Sequence, residues 1–368
     1  MGLDGRGFSS PAGGVRRYVT ELTTALVAVD PEIQLLAIGG SPGDALPAGV
    51  TGVPMGRSLP SNFGWSIDGL PRAIRRTGLD VFHAPAYTAP LWGAHPLAVT
   101  IHDVSYARHP EWYPYRIDPV RRWFYRRSAQ AADLVITDSE FSRREIEAAY
   151  GIPPERIRVI PLGVGAPFTP MADRRGAQES HRSPIMLHVG DLHARRNLRI
   201  LVDVLAMLRS RQDALRDTSL VLAGADRGAG ADILEHAKAL GVANGIRFLP
   251  AADDRAVVAL MHQADVFVYP SLYEGFGLPP LEAMACGTPL VASMASSIPE
   301  VVGDAGLLVV PDDVRGWYDA VVSVLTSEPH AAALRRSGLA RAASFTWQRT
   351  ARQTRDVYRE VAQLRTPA

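Results

Sequence analysis

Short, continuous apolar runs recur along the chain, separated by stretches in which arginine is frequent. Strands of a parallel sheet are buried on both faces, so they appear as uninterrupted apolar runs. In the first half these runs occupy residues 33–39, 80–84, 97–103 and 133–138, and in the second half residues 185–191, 220–224, 246–250 and 265–269. The pattern predicts an α/β protein in which one doubly wound plan is used twice.

A segment without a long apolar run separates the two series. Gly163–Pro184 is rich in Gly, Pro, Ser and charged residues, which is typical of a linker. We therefore expect a first domain over residues 1–165 and a second over residues 166–347. The final stretch, residues 347–364, carries apolar and aromatic residues at a spacing compatible with an amphipathic helix.

A tight turn and a short helix are predicted directly after the run 265–269. Gly275 and Gly277 give the backbone the freedom that such a turn needs. Two prolines then favour a helix start, because a proline in the first helical turn loses no hydrogen bond. We expect this helix to cover residues 279–286 and to end at Gly287.

A glycine turn that leads into a helix can bind a phosphate, because free backbone N–H groups and the helix dipole meet there. Glu282, about one turn into the helix, could accept hydrogen bonds from the hydroxyls of a ribose. Glu274, before the turn, would then face the group beyond the phosphates. The alternative is an ordinary strand–turn–helix in which Glu282 is a solvated first-turn carboxylate. Spacing alone does not decide between them.

This segment resembles the signature of retaining GT-B glycosyltransferases of family 4. The resemblance rests on two glutamates separated by seven residues, the glycine pair between them, the continuation Glu282–Ser293 and the segment Ser296–Val309. It implies two Rossmann-like domains that face each other across a cleft and bind a sugar nucleotide. Glu282 would bind the ribose, and Glu274 would lie beside the transferred sugar. The turn residues assigned to the donor are Gly275, Phe276, Gly277 and Leu278.

A second loop, which follows Gly190, is similar to the family's donor-diphosphate loop. The residues that match are Arg195, Arg196 and Asn197. A guanidinium fork suits phosphate oxygens well. Many relatives carry arginine directly after the glycine, where this chain has Asp191, so the cationic contribution rests on the two later arginines. The alternative is a pair of solvated arginines at a helix start, the unfavourable end of the helix dipole for a cation.

In the first domain, Gly13 and Gly14 resemble the family's N-terminal glycine turn, which approaches the donor phosphates. His102 matches the histidine of a strand-end motif and would lie near the reacting sugar; the alternative is a structural histidine. His83, also at a strand end, is a weaker candidate for a pocket or acceptor residue. Few residues precede Asp4, so we expect either a short first strand or a chain start that lies further upstream.

Composition narrows the chemistry further. The net charge of +1 gives no general reason to expect nucleic acid, and Lys238 is the only lysine, so a cationic phosphate ligand is expected to be arginine. Cys286 is the only cysteine; no intramolecular disulfide can form, which favours the cytoplasm. No run is long enough to span a membrane. Tyr106–Arg127 mixes arginines with aromatics, which suits peripheral contact with the inner membrane face, contact with an anionic acceptor, or an ordinary surface helix.

Together these features predict a retaining glycosyltransferase that moves a hexose from a nucleoside diphosphate sugar to a glycan, a lipid-linked sugar or a small molecule. Catalysis would rest on His102, Glu274 and Arg196, and no cofactor or metal is expected. GDP-mannose is the first choice of donor by resemblance, and the C-terminal helix 348–368 would cross back to the first domain. Two alternatives remain: a sugar-nucleotide epimerase of the same shape, and a non-catalytic two-domain sugar-binding protein.

Overall fold

The computed structural model describes residues 1–10, 13–40, 46–54, 64–93, 96–113, 118–171, 183–211, 213–250 and 253–364. The chain divides into two compact units. The first consists of Met1–Gly163 together with Phe345–Ala368, and the second is Val164–Ser344. Residues 172–182 of the expected linker lie outside the described residues.

All strands of the described residues belong to two sheets. They are β1 Gly2–Asp4, β2 Leu35–Gly40, β3 Val50–Pro54, β4 Phe82–Ala84, β5 Leu97–Thr100, β6 Leu134–Thr137, β7 Ile157–Val159, β8 Ile185–Val189, β9 Ser219–Ala223, β10 Ile246–Leu249, β11 Val266–Tyr269, β12 Leu290–Ser293 and β13 Leu307–Val309.

The α-helices pack around these sheets. They are α1 Gly13–Val29, α2 Leu70–Thr77, α3 Ser105–Arg108, α4 Pro119–Ala131, α5 Glu140–Tyr150, α6 Arg199–Arg211, α7 Gly230–Ala239, α8 Asp254–Gln263, α9 Leu278–Ala285, α10 Ile298–Val302, α11 Val314–Thr326, α12 Glu328–Ala342 and α13 Trp347–Gln363.

Each unit contains one parallel sheet with helices packed on it. The strand order is β3-β2-β1-β4-β5-β6-β7 in the first unit and β10-β9-β8-β11-β12-β13 in the second. Every strand pair is parallel. The predicted fold class, two Rossmann-like doubly wound parallel sheets, is therefore confirmed.

Each of the eight predicted runs forms a strand, and four further strands, β3, β7, β12 and β13, were not predicted. Of these, β3, β7 and β13 lie at sheet edges and are only partly buried, and polar residues or glycine interrupt β3 and β7, whereas β12 is buried between β11 and β13. β1 is buried but only three residues long, and it lies between β2 and β4 in the middle of its sheet. The first strand is thus short and central.

The C-terminal helix α13 belongs to the first unit. Its buried residues recur at helical spacing, from Trp347 through Ala351 to Val361. The hydroxyl of Tyr358 lies 2.8 Å from Nδ1 of His83 on β4. An ion pair between Arg158 and Glu360 adds a second link to the same sheet. The amphipathic pattern read from the sequence therefore forms a helix that packs on the first sheet.

The aromatic and arginine-rich segment Tyr106–Arg127 includes residues 114–117, which are outside the described residues. Phe124 on α4 is buried, as expected of an ordinary surface helix, whereas the side chains of Val120 and Trp123 are 57% and 51% exposed. Among the described helices, none has the length and apolarity needed to cross a bilayer.

Candidate active site

The turn between β11 and α9 has the predicted form. Gly277 has φ +112°, a conformation that favours glycine, and it directly precedes α9. The helix starts at Leu278, one residue earlier than expected, with proline in its first turn, and Gly287 follows it with φ +70°. The N-terminus of α9 therefore adjoins a turn that allows close approach to the backbone.

Glu282 lies inside the protein. Its exposure is 3%, although it is only about one turn from the start of α9. The alternative of a solvated first-turn carboxylate is therefore wrong. A carboxylate at this depth needs hydrogen-bonding partners, because burial without them is costly.

Arg196 and Glu274 form a buried ion pair. Arg196 ends a 3-10 turn, Ala194–Arg196, and its Nη1 donates to Oε1 of Glu274 and to the hydroxyl of Tyr269. Nη1 also lies 3.2 Å from Oγ of Ser271, and the Tyr269 hydroxyl donates to Glu274 Oε1 at 3.1 Å. The guanidinium carbon is 5.2 Å from the centre of the Tyr269 ring, a cation–π distance.

The guanidinium of Arg196 is buried, and its hydrogen-bonding capacity is not fully used by the residues that the structure describes. Its exposure is 9%, and burial lowers the pKa of its guanidinium, while Tyr269 opposes that shift. Its Nε has no hydrogen-bond partner among the described residues. The alternative of two solvated arginines is thus wrong for Arg196, whereas Arg195 is half-buried. The sequence analysis assigned Glu274 to the sugar and Arg196 to the diphosphate, and in the structure these two side chains contact each other directly.

The other residues of the loop that follows β8 determine its conformation. Asn197 has φ +53°, and its Nδ2 donates to the carbonyl of Pro311 at 2.7 Å, so its amide serves the turn. Gly190 has φ +143°, and a Cβ there would lie 3.6 Å from the Arg196 guanidinium. Asp191 forms a 3.0 Å ion pair with Arg227. This loop is joined to the end of β11, since Leu272 donates its N–H to the Arg195 carbonyl at 2.9 Å.

Two serines that the site prediction missed hold the backbone of Glu274. The N–H of Glu274 donates to Oγ of Ser296 at 3.0 Å, and Oγ of Ser297 lies 2.9 Å from the Glu274 carbonyl and 2.8 Å from that of Phe276. Ser297 is fully buried. Ser296 has φ +57°, which is uncommon for a residue with a side chain and is often found at functional sites.

His188 is a further residue of this region that the sequence reasoning passed over. It is fully buried on β8, its Nδ1 donates to the Val268 carbonyl at 3.1 Å, and its ring stacks on Tyr269. Burial, assisted by the nearby Arg196 charge, lowers the pKa of His188 to about 3, so the ring is neutral at physiological pH. A neutral ring adds no second positive charge beside Arg196.

In the first unit, Gly13 and Gly14 open helix α1. A Cβ at either position would meet no atom within 4 Å. Close packing within the described residues is therefore not what requires glycine at these two positions. The preceding residues 11–12 are outside the described residues.

His102 and His83 have different environments. His102 lies just beyond β5, and its Nδ1 is 2.7 Å from Oδ2 of Asp138. His83 is buried with both ring nitrogens engaged, Nε2 with Thr100 at 2.7 Å and Nδ1 with Tyr358 at 2.8 Å. Burial lowers the pKa of His83 to about 3. Both ring nitrogens of His83 are thus engaged by side chains of the first unit, which favours a structural role.

Two family descriptions match the chain, one in each half. Residues 12–166 match "Glycosyltransferase Family 4", and residues 172–341 match "Glycosyl transferases group 1". The O-antigen chain mannosyltransferase B of Escherichia coli is 32% identical over 289 residues, which cover 76% of this chain and 74% of that protein. The chain belongs to the family 4 glycosyltransferases. It is therefore a glycosyltransferase with a GT-B fold.

Solved structures agree on the fold of this family 4 glycosyltransferase. Sucrose-phosphate synthase from Thermosynechococcus elongatus superimposes with a TM-score of 0.80 at 23% identity, covering 99% of both chains. HepE from Anabaena, solved in complex with UDP-glucose, gives a TM-score of 0.73 at 20% identity, covering 98% of both chains.

Proposed function

We propose that this glycosyltransferase moves a hexose from a nucleoside diphosphate sugar to a hydroxyl acceptor with retention of anomeric configuration. The observation that supports it best is the buried cluster of Arg196, Glu274 and Tyr269, beyond β11 and close in sequence to the start of α9. Ligands of parallel α/β sheets bind beyond the carboxyl ends of the strands. A desolvated cation at that edge suits a leaving diphosphate.

The donor is divided among three groups of residues in this proposal. Glu282 binds the ribose hydroxyls. Arg195 and Arg196, with the turn amides of Gly14 and Phe276–Leu278, bind the diphosphate. Glu274 orients hydroxyls of the transferred sugar. Because Glu274 pairs with Arg196 in the structure, the diphosphate has to share this guanidinium with the carboxylate or displace it.

The chemical step needs stabilisation of the charge that develops on the leaving phosphate oxygen, and preorganised donors in a desolvated site supply this. In a front-face substitution the departing oxygen helps take the acceptor's proton, so no strong general base is required. His102 would assist at the reacting sugar. No metal enters this scheme, since arginines and the start of α9 carry the phosphate charge.

The donor sugar is proposed to be mannose, carried as GDP-mannose. The resemblance of the Arg195–Asn197 loop to that of GDP-mannose users supports this, as does the similarity to a mannosyltransferase over three quarters of the chain. UDP-glucose, the molecule bound to HepE, is the second candidate. The proposed acceptor is a glycan, a lipid-linked sugar or a small molecule.

The site of action is proposed to be the cytoplasm, with contact at the inner membrane face. Val120 and Trp123 support this, because they are three residues apart on α4, largely exposed and adjacent to arginines. Such a helix face suits an anionic lipid surface. Sedimentation with anionic vesicles tests it, and a Val120→Ser/Trp123→Ser variant that sediments as well as the parent would argue against it.

The decisive experiment incubates the purified protein with a panel of nucleotide sugars and records nucleoside diphosphate release and the proton NMR signal of the product's anomeric centre. Release with retained configuration supports the proposal. An altered sugar that stays on its nucleotide would indicate an epimerase. Binding without release from any donor, with acceptors supplied, would indicate a sugar-binding protein, and an inverted product would remove the front-face scheme.

A further inference from the structure

Asp138 stands beside His102 because β5 and β6 are neighbours in register. Thr100 pairs with Ile136 in the sheet, so the residues two positions beyond each strand position, His102 and Asp138, come together at the same edge. Oδ2 of Asp138 is 2.7 Å from Nδ1 of His102. Asp138 is 2% exposed, which is unusual for a carboxylate unless it is paired.

Each side chain of the pair uses one polar atom in the hydrogen bond between them and has a second polar atom to account for. Among the described residues, neither Nε2 of His102 nor Oδ1 of Asp138 has a partner in hydrogen-bond geometry, although both atoms are buried. Leaving such groups unpaired costs free energy, on the order of 1–3 kcal/mol each. Folding stability alone gives no reason to retain them. Buried polar atoms that lack partners are frequent at functional sites.

We propose that Asp138 is a positioning residue for sugar transfer, which fixes the His102 ring through Nδ1 so that Nε2 donates a hydrogen bond to an oxygen of the bound donor. This inference rests on the proposed function, in which His102 serves the reacting sugar. It adds the group that sets the orientation and charge of that histidine. Asp138 itself touches no substrate in this scheme.

The surroundings of the ring favour its protonated form. Burial lowers the pKa of His102, but the Asp138 carboxylate raises it, with smaller contributions from Asp103 and the Pro85 carbonyl, and the net direction is upward. The contribution of Pro85 comes from its backbone as a hydrogen-bond acceptor, while Nε2 lacks a partner that meets full hydrogen-bond geometry. Burial also raises the pKa of Asp138, against the opposing effect of His102.

The other groups around the ring do not offset this effect. Tyr18 lies edge-to-face with His102 at 4.7 Å between ring centres, and burial keeps its hydroxyl neutral by raising its pKa. The ring of Tyr87 also lies edge-to-face with His102, with 6.3 Å between the ring centres. His83, whose positive charge would oppose that of His102, has a pKa of about 3 and is neutral. Asp138 is therefore the main group that holds a proton on His102.

The first test measures the pKa of His102 in the wild-type chain. Titration of the histidine ring signals by heteronuclear NMR, with His102 assigned from a His102→Gln variant, gives its pKa and tautomer. We expect a pKa above that of a free imidazole and, after deprotonation, the remaining proton on Nδ1. A pKa below the free value, or a proton on Nε2 in the neutral ring, would overturn the proposal.

The second test uses Asp138→Asn. Removing the carboxylate charge should lower the pKa of His102 by about 1 or more. Since activity requires protonated His102, kcat should fall as pH rises through that pKa, and the fall should move to lower pH in the variant. At a pH above both pKa values, kcat of the variant should be about tenfold or more below that of the wild type. An unchanged pH profile, or a kcat that rises with pH, would contradict it.

A matched control comes from Asp133, at the opposite end of β6. Its Oδ2 accepts the N–H of Leu97 at 2.8 Å, so it is a structural carboxylate next to the same strand. Asp133→Asn should lower thermal stability without moving the pH profile. A displacement of the profile as large as that of Asp138→Asn would mean that only structural damage is being measured. If no nucleotide sugar is turned over, the proposed function fails, and NMR titration of Asp138→Asn still decides whether Asp138 controls His102.

Discussion

Glu274 and Arg196, which the sequence assigns to different parts of one donor, form a buried ion pair with each other. Neither charge is free in the folded protein, and the hydroxyl of Tyr269 contacts both. A buried pair is costly to break because each ion has lost its hydration. If the proposed donor displaces this pair, it has to supply replacement contacts for both residues, which a diphosphate joined to a hydroxyl-rich sugar can do.

Replacement of Arg196 should reduce both stability and activity. Arg196→Ala leaves Glu274 buried without its cation, so we expect the free energy of unfolding to fall by about 3–5 kcal/mol. kcat/KM should fall by about a hundredfold or more, as when one preorganised donor to a developing anion is removed. Arg196→Lys keeps the charge and should recover much of the activity. Denaturant titration and steady-state kinetics measure the two effects; wild-type kcat in the alanine variant, or a lysine variant that is equally inactive, would be inconsistent with this role.

Glu274→Gln tests the competition for Arg196. The amide keeps the shape of the side chain but no longer holds the guanidinium by charge, so affinity for the free nucleoside diphosphate should rise severalfold. At the same time kcat should fall, because the sugar hydroxyls lose a charged acceptor. Titration calorimetry measures the nucleoside diphosphate affinity and steady-state kinetics measures kcat, both on the same preparation. A parallel loss of nucleotide affinity and kcat would show that Glu274 does not compete with the diphosphate.

Glu282→Ala should weaken nucleotide binding by tenfold to a hundredfold, corresponding to about 1.5–3 kcal/mol for hydrogen bonds to a charged group. Glu235, an exposed carboxylate on α7, provides the control, and Glu235→Ala should bind nucleotide normally. Titration calorimetry with GDP and UDP measures both. Unchanged affinity of Glu282→Ala for each nucleotide would remove this residue from the site.

Ser297 should matter for catalysis through the backbone of Glu274. Ser297→Ala removes the hydroxyl bonded to the carbonyls of Glu274 and Phe276, so the carboxylate loses its fixed position and we expect kcat to fall by about tenfold, while nucleoside diphosphate affinity changes little. Ser297→Thr retains the hydroxyl and should restore kcat. If both variants lose only thermal stability and keep wild-type kcat, the serine is purely structural.

Turnover is expected to persist in EDTA. Within the parts of the chain that the structure describes, no three His, Cys, Asp or Glu side chains are grouped so that they could hold a metal ion. Hard cations such as Mg²⁺ need oxygen ligands, and the proposed scheme gives the phosphate charge to arginines instead. Activity that disappears with chelator and returns with magnesium or manganese would mean that the phosphate site is misassigned.

The sequence by itself determined the fold class and the turn that precedes α9. Buried parallel strands must be continuously apolar, so eight of them were found as runs, and the glycines and prolines around residues 275–280 specify a turn and helix start by local backbone preference alone. Edge strands β3 and β7 were not predicted because polar residues or glycine interrupt their apolar sequence, which partial exposure allows.

Only the tertiary structure decided which side chains meet. Arg196 and Glu274 are 78 positions apart, and His102 and Asp138 are 36 positions apart, so neither pair has a periodicity that a sequence pattern could reveal. Each pair exists because parallel strands deliver their carboxyl ends to one edge of a sheet. Tertiary contacts likewise distinguish His83, whose two ring nitrogens are both hydrogen-bonded, from His102, whose Nε2 has no partner among the described residues, although both lie in apolar runs of the same kind.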